Sequence, residues 1–227
     1  LLHLLKKNNY ILQDVEHTPI LASSLSSLTI EDPQLATLLF QTGYLTISSY
    51  NKETNRYTLA YPNNEVRQSY SLSLMAAVTH KSETELYNLV EPFRTALLEN
   101  TMDELVSLLR IIFAHIPYQI GENNEKFYHR MIQGFVTLLG FESESEVSTN
   151  RGRIDFVVYT KKFTYIFEFK VNASPDTAFK QIEERAYYER FLSSNTMKQK
   201  NTLVLVGLAF SKRNGEPTIS CVCKIVS

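Results

Sequence analysis

Three charged residues sit where a hydrophobic core would be expected: Asp155, Glu168 and Lys170, within RGRIDFVVYTKKFTYIFEFK, residues 151–170. The stretch reads as two strand-like runs meeting at Lys161 and Lys162. Side chains alternate faces along a strand, so Glu168 and Lys170 share one face and Phe167 and Phe169 the other. In the first run Asp155 and Val157 share a face opposite Ile154, Phe156 and Val158. The connection lacks the Asn-Gly or Asp-Gly of a tight two-residue turn, which favours a four-residue loop symmetric about the two lysines. That symmetry sets Asp155 opposite Glu168 and Arg153 opposite Lys170. An odd-length loop would move Asp155 off Glu168.

Directly opposed Cβ atoms stand about 4.5 to 5.5 Å apart, where like charges destabilise a sheet. Two carboxylates so placed need a shared proton or a cation between them. Magnesium takes one or two carboxylates, several waters and phosphate oxygens, and the Phe169 carbonyl adds a candidate oxygen. Lys170, one step along the same face, is placed to hold or deprotonate a water, or to stabilise charge on a phosphate. Together these residues suit metal-assisted phosphodiester hydrolysis. The competing reading is an ordinary amphipathic hairpin whose charges face water or form ion pairs.

The elements that must position these residues follow from pattern and punctuation. EKFYHRMIQGFVTLLG predicts a helix burying Phe127, Met131, Phe135, Leu138 and Leu139 and stopping at Gly140. RIDFVVY and TYIFEF are the two strands. SPDTAFKQIEERAYYERFL opens with Ser174 as cap and Pro175 at the first helical position, then runs as a helix. NTLVLVGLAF and TISCVCKIV supply two more strands. The order helix, strand, strand, helix, strand, strand predicts an α/β or α+β domain with a central mixed sheet flanked by helices.

Upstream, Asp32 and Pro33 mark a helix start, and Leu35, Leu38 and Leu39 form its apolar face before Gly43. YLTISSY and RYTLAYP read as a hairpin across NKETN, and a helix follows from about Asn64 to Val78. This helix, hairpin, helix order is winged-helix-like. Residues 31–70 nevertheless set Lys52, Arg56 and Arg67 against Glu31, Asp32, Glu53 and Glu65, so no electrostatic footprint supports groove binding, and packing against a neighbour is favoured. LYNLVEPFRTALL and MDELVSLLRIIF are helical, and IPYQIGENN punctuates the chain. The division expected is a helical and winged-helix-like region over 1–118 and a second domain over 119–227.

Composition bounds the reading. A hydrophobic share of 44% and a charged share of 21% are ordinary for a globular chain of 227 residues. No apolar run approaches the roughly 18 residues of a spanning helix, so no membrane partner is expected. Residues 1–118 hold 8 Lys/Arg against 12 Asp/Glu, whereas residues 119–227 hold 15 against 12, so any contact with phosphate belongs to the second half. Cys221 and Cys223 are poorly spaced for a disulfide, and a reduced, cytoplasmic setting is expected. LLHLLKKNNYIL has no initiator Met and no cleavage pattern, which reads as the interior of a longer chain. No G-x-x-x-x-G-K-[ST] occurs, so no ATP site is expected here.

The run from Gly152 to Asp155, twelve intervening residues and then Glu168-Phe-Lys170 resembles the PD-(D/E)XK nuclease superfamily, with Ile154 where the motif's name has proline. EKFYHRMIQGFVTLLGF, EVSTNRGRIDFVV, YIFEFK and AFKQIEERAYYERF are similar to one branch, found C-terminal to an AAA-ATPase-like domain in bacterial proteins. LLFQTGYLTI and YTLAYPNNEVR resemble the end of that ATPase-like region. The resemblance implies a restriction-endonuclease-like core and a Mg²⁺-dependent nuclease, with Mn²⁺ as an alternative metal. The implied substrate is nucleic acid, DNA first, and the implied partner is an upstream ATPase-like domain.

It further implies that Asp155 and Glu168 are metal carboxylates and Lys170 the catalytic lysine. Glu125 matches an acidic position that joins the metal site, beside the alternative of a first-turn glutamate favouring the helix dipole. Gln181 matches a polar position supporting the site. Arg185 and Tyr188 fall on its helix face at i+4 and i+7, where they line either a groove or a plain solvent face. His129 fits the family's Tyr-His pair, although a lone helical histidine is more often packed than catalytic. Arg151, Arg153 and Lys180 are placed to hold a phosphate backbone. The rival functional class is a non-catalytic nucleic-acid-binding or regulatory module that keeps the fold.

Overall fold

Bulky residues along 152–171 and 202–210 form the interior of a five-stranded sheet. A computed structural model describes residues 19–26, 35–114, 116, 125–192, 201–213 and 216–226. The strands are β4 (Glu142–Thr149), β5 (Gly152–Tyr159), β6 (Phe163–Val171), β7 (Thr202–Arg213) and β8 (Glu216–Val226), in that spatial order. All neighbours are antiparallel except β6 and β7, which are parallel and joined by a helical crossover. Helix α6 (Glu125–Leu138) packs on one face, together with Phe156, Val158, Phe167, Phe169, Val206 and Leu208. Helix α7 (Pro175–Glu184) covers the other face through Ile182, against Val157, Ile166 and Leu205.

As far as the ladder runs, the β5–β6 register is the expected one, with Phe156 opposite Phe167 and Val157 opposite Ile166; the pairs expected beyond it, Asp155 with Glu168 and Arg153 with Lys170, are not part of the ladder. Thr160 closes the turn. Its N–H donates to the Phe163 carbonyl at 2.9 Å, and its Oγ1 accepts from the Phe163 N–H at 2.9 Å. A threonine side chain thereby replaces the backbone pairing that an Asn-Gly turn would provide.

Three expectations are corrected. Strand β4 was not foreseen; only Val147 among its eight residues is buried, so it forms by pairing to β5 rather than by its own apolar alternation. The helix expected over 174–192 stops at Glu184. Arg185 caps it, Ala186 takes a φ of +46°, and a short helix α8 (Glu189–Leu192) resumes the chain. This break brings Tyr187, 3% exposed, into the smaller core cluster with Ile154. Finally, Ile154 packs with Val157 instead of with Phe156. Strand alternation is disturbed at Asp155, across from which Glu146 takes a φ of +53°.

The upstream order is observed as α2 (Leu35–Gln41), β2 (Thr46–Asn51), β3 (Arg56–Ala60) and α3 (Asn64–Thr79). A further strand, β1 (Pro19–Leu21), pairs with β3 and leads into α1 (Ala22–Ser26). Asn63 caps α3, and Ser82 with Glu85 forms a capping box at the start of α4 (Glu83–Glu99). Helix α5 (Met102–Phe113) follows. The helix start at Asp32 and Pro33, the run 1–12 and the boundary at 118/119 lie outside the described residues.

One hydrophobic core runs from α2 to β8. Phe93 of α4 stacks on Phe135 of α6 at 5.9 Å, and the buried Tyr165 hydroxyl donates to the Leu97 carbonyl at 2.6 Å. Arg110 of α5 donates to the Ile219 carbonyl at 2.7 Å. Among the described residues no helix is long and apolar enough to cross a membrane.

Candidate active site

The backbone ladder between β5 and β6 ends at Phe156 and Phe167. Beyond that pair, the Phe169 N–H donates to Asp155 Oδ2 at 2.9 Å, so a side chain takes the place of a strand partner. Asp155 is half-buried and Glu168 is 1% exposed. Lys170 Nζ donates to Glu168 Oε1 at 3.0 Å and to the Phe169 carbonyl at 2.9 Å. Glu125, at the start of α6, approaches the same ammonium, with Oε2 at 3.8 Å. The hairpin and the first turn of α6 thus bring together Asp155, Glu168, Lys170 and Glu125, four of the five residues that the sequence nominated for metal and catalysis. The Phe169 carbonyl, considered as a metal ligand, is engaged by Lys170.

Gly207 explains how a glutamate comes to be buried here. It stands beside Glu168 in the parallel ladder. A Cβ at this position would meet the Pro175 carbonyl oxygen at 2.6 Å and the Phe179 nitrogen at 2.7 Å. The missing side chain lets α7 lie directly on the sheet next to Glu168. A glycine inside an otherwise apolar strand was the available sequence signal.

The electrostatics follow from burial. Desolvation and the Asp155 carboxylate push Glu168 up to about 8, against the pull of Lys170. Burial also raises Asp155, opposed by the Phe169 N–H and by Lys170. Desolvation lifts Glu125, again opposed by Lys170. Burial alone would lower Lys170, but Glu168, Glu125 and Asp155 together reverse this, and its net displacement is upward. Three carboxyl groups face one ammonium, so the site, once ionised, carries more negative charge than Lys170 balances.

One atom marks where a proton or a cation would sit. Glu168 Oε2 is buried without a hydrogen-bond partner. An orphaned carboxylate oxygen is costly unless it is protonated or coordinated. Among the described residues no group of three or more His, Cys, Asp or Glu side chains converges as a metal cage. Mg²⁺ takes one or two carboxylates and keeps most of its waters. Asp155 and Glu168 fit that demand, with Glu125 approaching the same ammonium.

The remaining nominated residues are placed differently. Gln181 is half-buried on α7, and among the described residues no hydrogen bond ties it to the trio. Because α7 ends before Arg185, neither Arg185 nor Tyr188 continues its helical face. Arg185 instead donates to the Arg151 carbonyl at 2.7 Å, and Tyr188 packs beside the smaller cluster. Arg151 pairs with Glu189 at 3.3 Å, Arg153 with Glu146 at 3.2 Å and Lys180 with Glu184 at 3.5 Å, all exposed. His129 is packed between Phe156 and Phe169, with ring centroids at 5.5 and 5.3 Å. Glu146 was missed with its strand; its charge raises both Asp155 and His129.

Comparison with known proteins adds to this geometry. Residues 123–216 match the PD-(D/E)XK nuclease superfamily. The five-stranded mixed sheet flanked by helices is consistent with a restriction-endonuclease-like fold. The chain is 30% identical over 203 residues to an uncharacterized protein in the vnfD 5′ region of Azotobacter chroococcum mcd 1. That alignment covers 83% of this chain and 37% of the relative, so the chain spans little more than a third of the relative's length. No solved structure matches.

Proposed function

We propose that this chain carries a divalent-metal-dependent nuclease, with Mg²⁺ as the metal, Mn²⁺ as a substitute and DNA as the substrate. The observation that carries this reading is Glu168, 1% exposed, with one carboxylate oxygen unpartnered. A structural ion pair would balance its charges, whereas Asp155, Glu168 and Glu125 exceed the single ammonium of Lys170. Buried carboxylates in surplus are retained where a cation compensates them.

Asp155 and Glu168 would hold the ion, and Asp155 is oriented for this by the Phe169 N–H. When bound, a divalent ion activates water and stabilises charge developing on the phosphate. Lys170 supplies a mobile positive charge beside the reacting phosphate. Arg151, Arg153 and Lys180 sit in exposed ion pairs, which are weak enough for a phosphate backbone to replace the carboxylates. Gln181 supports the site from α7. The α2–β2–β3–α3 module is read as winged-helix-like, left from an ATPase-like region upstream, with no ATP site in this chain. The two free cysteines suit a reduced, cytoplasmic setting.

Incubating the purified chain with supercoiled, linear and single-stranded DNA and with RNA, in Mg²⁺, Mn²⁺ or EDTA, tests the reading. Cleavage should require metal and disappear in Asp155→Ala and Lys170→Ala. Cleavage unchanged in either variant overturns the site, and binding without cleavage on every substrate favours the non-catalytic module.

A further inference from the structure

We infer that Lys170 fills the cation position of this site in the metal-free chain, so that a divalent ion enters by displacing its ammonium. The inference rests on the metal-site reading above and deepens it. Nζ lies 3.0 Å from Glu168 Oε1, 2.9 Å from the Phe169 carbonyl and 3.8 Å from Glu125 Oε2. These are oxygens that a hard cation at this site would seek. An ammonium and a metal ion cannot both take the same lone pairs of Glu168 Oε1.

The side chain is suited to such an exchange. Lysine carries a compact point charge on a flexible four-carbon stem, unlike the rigid fork of arginine. Lys170 keeps 20% of its side chain exposed, whereas Glu168 keeps 1%. The carboxyl group is therefore fixed, and the ammonium can swing out. Glu168 Oε2 meanwhile has no partner, so the ammonium satisfies only one of the two oxygens that an ion on this carboxylate would take. Displacement has a functional consequence. The ion that arrives releases Lys170 from its carboxylate and makes it available to a phosphate, coupling metal entry to positioning of the lysine.

Two measurements on the whole chain, both without nucleic acid, test this. The first is Mn²⁺ binding, followed by electron paramagnetic resonance and calorimetry, in the wild type and in Lys170→Met. The variant should bind roughly tenfold tighter, the scale of giving up one charge-assisted hydrogen bond. The second uses the wild type alone, so it does not depend on whether the variant folds. Labelling of Lys170 by an amine-reactive reagent, read by mass spectrometry, should accelerate severalfold when Mn²⁺ is bound.

Equal or weaker binding in Lys170→Met, with binding retained in the wild type, overturns the displacement and leaves the metal site standing. Tighter binding with unchanged labelling also overturns it, because the lysine then repels the ion from a distance without moving. Absence of Mn²⁺ binding in both proteins overturns this inference and the metal-site reading together.

Discussion

Asp155 Oδ2 accepts the Phe169 N–H at 2.9 Å, so a side chain of β5 caps the point where its ladder with β6 ends. Two roles of Asp155, acceptor and anion, can be separated. Asp155→Asn keeps an acceptor and removes the charge, whereas Asp155→Ala removes both. The Ala variant should be less stable than the Asn variant by about 1–3 kcal/mol, the cost of leaving a buried N–H unpaired. Urea unfolding measures the difference. Both variants should lose metal-dependent cleavage, which separates the structural contact from the chemical one.

Glu168 should make stability fall as pH rises. Its folded value is pushed up to about 8 by burial and by Asp155, from an ordinary value of 4.5. Between those values the folded chain holds a proton that the unfolded chain has lost. The stabilisation is complete below the unfolded value and is lost as pH climbs through the folded one. Glu168→Gln should therefore gain on the wild type between pH 5 and 8 by on the order of a few kcal/mol, shared with Asp155. Mg²⁺ should raise the Tm of the wild type more at pH 8 than at pH 6, since it binds the deprotonated carboxylate, and should not raise that of Glu168→Gln.

The parts of this site legible in the sequence are those governed by local rules. Alternation through Phe156, Phe167 and Phe169 and a symmetric turn set the register of the hairpin, and Ser174 with Pro175 marked the start of α7. Glu142–Thr149 carries one buried residue, so no alternation announced β4; it exists because β5 offers an unpaired edge. AYYERF keeps a helical rhythm, and the break at Ala186 is decided by the burial of Tyr187 beside Gly152, a tertiary contact. Helices α4 and α5 were legible as amphipathic, but not that they share a core with the sheet. Lys170 was legible as a charge near two carboxylates; that it engages the Phe169 carbonyl required coordinates.

His129 should oppose Glu168 on the acid side. It is buried between two phenylalanines, its Nε2 has no partner, and burial lowers it from 6.5 to about 4. Between those values the unfolded chain takes up a proton that the folded chain refuses, so stability falls as pH drops through this window. The full effect is about 3 kcal/mol. Its window overlaps that of Glu168, so the isolated quantity is the difference between the wild type and His129→Phe. That difference should grow in favour of the variant from pH 6.5 to 4, followed by denaturant unfolding across the range.

Two glycines that look alike in sequence should respond oppositely to alanine. At Gly134, on α6, a Cβ meets only the flexible end of Met75, with Cε at 2.8 Å. Removing a glycine from a helix interior gains about 1 kcal/mol at most, which offsets the repacking, so Gly134→Ala should lie near neutral. At Gly207 the Cβ meets backbone atoms of α7, the Pro175 oxygen at 2.6 Å and the Phe179 nitrogen at 2.7 Å. Neither can rotate away, so the helix must lift from the sheet, at a cost of about 1–3 kcal/mol or more. Because Gly207 neighbours Glu168 in the ladder, that movement also opens the buried carboxylate to water. Gly207→Ala should thus weaken Mn²⁺ binding in protein that is still folded, as judged by circular dichroism and titration at low temperature. Unchanged Mn²⁺ affinity in a folded Gly207→Ala protein would show that the fit of α7 onto β7 serves packing alone.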